Sequence, residues 1–354
     1  MSPAAGPATS PAASLAPGPA AVTLVRACPR DGTGGSPTAV VVETGAPMSD
    51  EERRAVPGAW GASHAVYVRV RADDGPEPTV NLRFFTAEGE LPACGHGTVA
   101  ALVLLASRAA PGAPYRATLR TARRAFAGRA RVAGDRGTGL FDPGPVDLRA
   151  PTAAELGLVL PALGLAPGEA GPDVRVAGVG RERILVPVAS RAALAALAPD
   201  FPRLRAACDR LGLLGAYVHS PPSPSGSLAA RMFAPSIGVP EDIANANSTA
   251  CLAAHLAGRG LTDLAVDMGD ALGSPARITA TVVTRAGDDR PGGDLPGGDP
   301  PGIDRSDADR PGGDRPGGVR PDRDRPAPGP RILIGGTALI LGARAPGPAR
   351  HASR

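Results

Sequence analysis

Two runs of small polar residues open two strongly apolar helical stretches of this chain, and they carry the groups best suited to chemistry. The first is Cys94-Gly95-His96-Gly97-Thr98; the second runs from Asp242 through Asn245 and Asn247 to Ser248. A helix start presents N–H groups without intrahelical partners and the positive end of the helix dipole, so it attracts a carboxylate or an oxyanion. Gly95 and Gly97 let a ligand approach the backbone, and His96 adds a donor or a second acid at the same place. The competing reading is an ordinary cap with His96 satisfied by a neighbouring carbonyl. Asp242 suits a substrate amine or hydroxyl, or the fixing of a histidine tautomer, with plain capping as the alternative. Asn245, Asn247 and Ser248 offer uncharged donors and acceptors for orientation, again with capping as the rival. His64 carries an imidazole that titrates near neutrality and can take and return a proton, so it is an acid/base candidate by type; for a lone histidine the bland alternative, a hydrogen bond to substrate or backbone, is the commoner one. Cys94 is a second-line candidate, since thiols are often buried hydrophobes.

The segments that position these runs repeat. Arg83 to Ala106 reads RFFTAEGELPACGHGTVAALVLLA and Arg231 to Ala257 reads RMFAPSIGVPEDIANANSTACLAAHLA. Each passes from an Arg-x-Phe strand through a turn and a later proline into an apolar helix, which implies two equivalent units. Val99 to Leu105 is apolar on every side and Ala250 to Leu256 nearly so, which predicts helices buried all round with their starts inside the protein. If the units face one another, both starts converge on one cleft.

A chain of 354 residues is long enough for two domains with ample cores. The net charge of +4 is spread among mixed Arg, Asp and Glu, and aromatic residues are 3%, so no nucleic-acid face is expected. All 38 basic residues are Arg and none is Lys, which excludes a Schiff-base lysine and a P-loop. Cys28, Cys94, Cys208 and Cys251 show no C-x-x-C spacing, which argues against zinc held through the cysteines. No signal-peptide pattern and no apolar run of membrane length stands out, giving the expectation of a reduced cytoplasmic protein without a membrane partner.

The domain reading is a disordered Ala/Pro/Ser lead-in over residues 1–21, a first unit over 22–134, a second over 135–285, a disordered Asp-Arg-Pro-Gly-Gly insertion over 286–330, return strands over 331–346 and a tail over 347–354. Strands are expected at Val22 to Ala27, Ala39 to Glu43, Ala65 to Val70 and Val80 to Phe85. A capping box at Ser49 should open a helix that ends near Pro57. Asp135 to Pro151 reads as an irregular bridge. Helices are expected from Thr152, over Arg191 to Leu197, and over Asp200 to Leu211 with Asp200 as cap. Arg331 to Leu341 reads as a paired strand with Gly335-Gly336 at its turn or bulge. Cys208, Cys251, His219 and His255 read as core.

At RFFTAEGELPACGHGT and RMFAPSIGVPED the chain resembles the PhzF-like isomerases of the diaminopimelate epimerase superfamily, with support from Gly35-Ser-Pro-Thr-Ala-Val-Val. The resemblance implies an α/β (α+β) fold of two pseudo-symmetric lobes, each a curved, mainly antiparallel sheet around a central helix, with the site between them. It further implies a cofactor-free, metal-free isomerase of a small carboxylic acid, working as a homodimer. Where such enzymes carry a glutamate acid/base, this chain has His64. Where related racemases place a second cysteine, it has Asn245, which cannot transfer a proton. The expected reaction is a proton shift between carbons of an unsaturated or cyclic acid. The alternatives are an epimerase pairing Cys94 with His64, or a non-catalytic metabolite binder.

Overall fold

The structure, a computed structural model, describes residues 21–71, 77–109, 112–166, 168–283 and 331–343. The lead-in up to residue 20, the 286–330 insertion and the 347–354 tail lie outside the described residues. The chain begins with β1 (Val22–Ala27), β2 (Ser36–Val42), α1 (Asp50–Ala59), β3 (His64–Arg71), β4 (Thr79–Phe85), β5 (Glu90–Leu91) and α2 (Gly95–Arg108). β6 (Tyr115–Arg120), β7 (Ala125–Ala133), β8 (Arg136–Phe141), β9 (Asp147–Arg149) and α3 (Ala153–Ala162) follow. The remainder is β10 (Arg175–Val179), β11 (Arg181–Pro187), α4 (Arg191–Ala195), α5 (Phe201–Leu211), β12 (Ala216–His219), β13 (Ser227–Ala234), β14 (Val239–Asp242), α6 (Ala246–Ala257), β15 (Asp263–Met268), β16 (Ala276–Val283) and β17 (Arg331–Ala343).

The suspected repeat is present in the strand pairing itself. From β1 to β4 the neighbours are antiparallel, parallel, antiparallel; from β10 to β13 they are the same. β4 then pairs β5 antiparallel and β6 parallel, as β13 pairs β14 and β15. Two further antiparallel steps end each series, at β8 and at β17. β17 then inserts between β8 and β1, and β9 pairs with β10, so each series lends a strand to the other lobe. The result is the mixed α+β fold of two pseudo-symmetric lobes, each sheet curved around one central helix.

α2 is that helix in the first lobe, packed by β1, β2, β3, β7, β8 and β17, and α6 is its counterpart, packed by β10, β15, β16 and β17. Every residue from Gly95 to Ala106 is buried, as an apolar surface without a polar face requires. Val99, Leu102 and Val103 share one core with Cys251, Leu252 and Leu256. A second core joins α3 and α5 to the β10–β13 sheet through Val159, Leu163, Leu204 and Phe233. The Arg-x-Phe motif fastens each lobe the same way. Arg83 forks onto Glu90 at 2.8 and 2.6 Å and covers the Phe85 ring at 5.0 Å; Arg231 forks onto Glu241 at 2.9 and 2.8 Å and covers Phe233 at 4.9 Å. Among the described residues no helix is long and apolar enough to cross a membrane.

Several boundaries differ from the sequence expectation for identifiable reasons. The Ser49/Glu52 capping box opens α1, but the helix continues through Pro57 to Ala59. The carbonyl of Arg53, which Pro57 cannot serve, accepts instead from the Tyr67 hydroxyl at 2.9 Å. The supposed bridge over Asp135 to Pro151 contains β8 and β9; glycines at 137 and 139, where α2 packs close, erase the alternation that would mark a strand. The Thr152 helix extends to Ala162, and β10 was not anticipated. β17 is one continuous strand with no turn at Gly335-Gly336. A Cβ at 336 would lie 2.7 Å from Cys28 Sγ, so close packing across the strand, not a change of direction, explains the glycine.

Candidate active site

His64 is the first residue of β3, directly opposite Thr38 of the parallel β2. The preceding Ser63 donates its N–H to the Pro37 carbonyl at 3.2 Å, and its hydroxyl lies 3.1 Å from the Ser36 hydroxyl and 2.9 Å from His64 Nδ1. This relay turns the imidazole inward, where 3% of the residue remains exposed.

Cys94 is the N-cap of α2 but makes no side-chain capping bond, so its first-turn N–H groups have no side-chain acceptor at the cap. The Thr98 hydroxyl donates to the Cys94 carbonyl at 2.8 Å, and Gly97 lies against Cys94 Sγ and Phe84. His96 Nδ1 donates to the Ala244 carbonyl at 2.8 Å, a bond between the lobes, and its Nε2 meets Cys94 Sγ at 3.3 Å. The His64 and His96 rings stand edge to face with centroids 4.5 Å apart. Donor atoms of His64, Cys94 and His96 all lie within 4.8 Å of one another.

Burial, and then the charge of His96, hold His64 well below the ordinary histidine range, so the near-neutral imidazole expected from sequence is displaced by its setting. Burial pulls His96 the same way, but Cys94, Asp242 and the Ala244 carbonyl outweigh it and push His96 up to about 9. Burial raises the Asp242 carboxyl above its usual range, against the pull of His96 and Asn245.

The second helix start abuts the first. A Cβ on Gly95 would lie 2.4 Å from the Ala246 Cβ. Yet the two starts are not equivalent, because α6 is capped: Asn245 Oδ1 accepts from the Ser248 N–H at 2.9 Å, and Asn245 Nδ2 donates to Asp242 Oδ2 at 3.0 Å. Asp242 closes β14 and takes the Ala244 N–H as well, at 3.4 Å. The Ser248 hydroxyl faces Met232 Sδ at 3.5 Å, and the Asn247 carbonyl accepts from Arg183 at 3.4 Å. The structure therefore gathers His64, Cys94, His96 and Gly95 at one point, sets Asp242 and Asn245 beside it as a cap, and turns the Ser248 side chain into the core. Asn245→Ala is expected to cost about 1 kcal/mol of stability through the lost cap, read by chemical denaturation.

The sequence model of phenazine biosynthesis-like proteins (PhzC-PhzF) matches residues 25–297. The chain belongs to this family. An uncharacterized isomerase of Pseudomonas aeruginosa is 32% identical over 225 residues, covering 63% of this chain and 77% of that protein. The uncharacterized isomerase YddE of Escherichia coli O157:H7 is 26% identical over 219 residues, 59% and 70% of the two chains. Among solved structures, a predicted epimerase from Pseudomonas aeruginosa superimposes with a TM-score of 0.67 at 20% identity, covering 92% of this chain and 98% of that one. The fold is thus that of the PhzF and racemase-like structures.

In this PhzC-PhzF chain, Ser36 and Ala244 touch the candidate cluster, through Ser63 and His96, and sequence reasoning missed them. Ser36 sits in the Gly-Ser-Pro-Thr motif that helped carry the resemblance, which was a usable signal; a backbone carbonyl such as Ala244 leaves none. His64, Cys94 and His96 were each candidates from the sequence, but their gathering within 4.8 Å from β3 and the start of α2 left no signal in C-x-x-C spacing. A cavity of about 1170 Å³ is lined by residues such as Arg131, Arg136 and Thr279, and none of the candidate residues borders it. Cys208 and Cys251 are buried as expected. The His255 side chain is 10% exposed and meets Asp173 at 2.8 Å.

His219 is buried with no partner on Nε2, and burial holds it down to about 4. The unfolded chain takes up this proton near pH 6.5 and the folded chain does not, so stability is intact above that pH and falls as pH drops toward about 4. The loss amounts to roughly 3 kcal/mol at most for this group. Denaturant titrations at pH 7.5 and pH 4.5 should show a smaller pH effect in His219→Leu than in the parent chain.

Proposed function

We propose that this family member is an isomerase that moves a proton between carbons of a small unsaturated or cyclic carboxylic acid. His64 takes the proton from a carbon made acidic by conjugation. The electron pair passes to the conjugated carboxyl or carbonyl, whose developing charge faces the uncapped N–H groups of α2 and His96. A proton returns from the His64/His96 pair to a different carbon. The reaction as drawn uses only groups of this chain, and we extend the proposal, by analogy with the family, to a homodimer with a place in specialised-metabolite biosynthesis.

The observation that carries this reading is the close grouping of His64, Cys94 and His96, whose donor atoms lie within 4.8 Å of one another. A two-base epimerase must place acid and base on opposite faces of one carbon, each about 3–3.5 Å away, hence roughly 6–7 Å apart. Groups gathered this closely suit removal and return of a proton on the same face. The names of the curated relatives, uncharacterized isomerases, support the same class.

Incubation of candidate acids with the protein in deuterated water tests the reading. Solvent deuterium at a new carbon is the expected result. Deuterium confined to the original stereocentre would establish the epimerase instead, and no incorporation from any bound acid would leave a binding protein.

A further inference from the structure

We propose that His64, Cys94 and His96 form a three-ligand site for a thiophilic divalent transition-metal ion, zinc by its chemistry. One thiol and two imidazoles are the donor set that such ions prefer, whereas calcium and magnesium demand oxygen. Zinc bonds of about 2.0–2.3 Å place neighbouring donors roughly 3.5 Å apart. Cys94 Sγ and His96 Nε2 already stand at 3.3 Å, and all three donors fall within 4.8 Å. Closure therefore needs a shift of His64 of about 1 Å.

The surroundings are those of a built site. The three residues are 3%, 6% and 2% exposed in sequence order. His96 is aimed by its Nδ1 bond to the Ala244 carbonyl at 2.8 Å, and His64 by Ser63 at 2.9 Å, the outer partners that orient metal-binding imidazoles. Cys94 occupies the N-cap of α2, where its side chain makes no capping bond. Binding displaces the Cys94 thiol proton, and any proton on His96 Nε2, to solvent. An ion held by His64 also removes the base of the proton shift, so metal and turnover compete at one place. Binding of the ion needs only the cluster's geometry, whereas its competition with turnover rests on the isomerase reading.

The test is titration of the full-length, chelator-treated protein with cobalt(II) as a spectroscopic stand-in for zinc. One equivalent should produce sulfur-to-cobalt charge transfer in the near ultraviolet and the visible bands of a tetrahedral ion. Cys94→Ser should abolish the charge transfer, His64→Gln and His96→Gln should each weaken binding at least a hundredfold, and Ser63→Ala about tenfold. A folded parent chain that shows no bands at equimolar cobalt overturns the proposal, and this result depends on no variant. Charge transfer that survives in Cys94→Ser overturns it too, by placing the ion on another cysteine. Deuterium exchange by the metal-free protein is measured separately. Exchange without cobalt bands sinks the metal site alone, while bands without exchange sink the isomerase reading alone. One equivalent of zinc should suppress exchange and a chelator restore it; exchange that continues with the ion bound overturns the competition.

Discussion

His64→Gln lowers the rate of solvent-deuterium incorporation into substrate by about 10²–10⁴-fold, the range supplied by a positioned general acid or base. Glutamine preserves a polar side chain of similar reach beside Ser63, but its amide cannot carry the proton. The loss should fall on turnover more than on substrate affinity, because the affinity in this reading comes from the N–H groups of α2, whose N-cap Cys94 makes no side-chain cap bond. Cys94→Ala is the companion measurement. The thiol lies 3.3 Å from His96 Nε2 and helps set the charge of that ring, so its removal should reduce the rate less than removal of His64. Retention of most turnover in His64→Gln together with its abolition in Cys94→Ala would overturn the mechanism and make the thiol the proton carrier.

Gly95→Ala is expected to be the most damaging single-methyl change in the site. The added Cβ would stand 2.4 Å from the Ala246 Cβ and 3.2 Å from its Cα, both atoms of a helix start with no flexible end to move aside. Overpacking of this kind costs about 1–3 kcal/mol, which for a chain of this size lowers the melting temperature by roughly 1–5 °C. It also forces apart the two helix starts, and with them the His96 bond to Ala244 that joins the lobes. Activity should fall even where the protein remains folded. Ala246→Gly removes the opposing methyl, so Gly95→Ala should cost markedly less in that background. Equal costs in both backgrounds, read from thermal melts, would mean that the contact between helix starts does not exist in solution.

Much of the frame was legible because it is written in local pattern. The capping box at Ser49 and the Asp200 cap appear where their side chains predict, since a cap is a bargain between a side chain and backbone three residues away; the box that Thr152 forms with Glu155 was equally local but went unread. The burial of α2 followed from its lack of any polar face. The Arg-x-Phe repeat was visible as spacing, although its purpose, an Arg forked onto Glu90 or Glu241 over a Phe ring, needed coordinates. β8 was hidden because its glycines serve the approach of α2 and not the strand.

By itself, then, the sequence determined two like units, a buried apolar helix in each, small polar residues at both helix starts, and the absence of any lysine chemistry. Only the tertiary structure decided that β17 closes the first lobe against β1, that Asn245 caps α6 while α2 stays uncapped, and that His64 and His96 stand 4.5 Å apart with opposite shifts in basicity. The reason is range. Helix, strand and cap depend on neighbours a few residues away, whereas the charge state of a buried imidazole depends on groups that the fold alone brings near, such as a carbonyl 148 residues further along the chain.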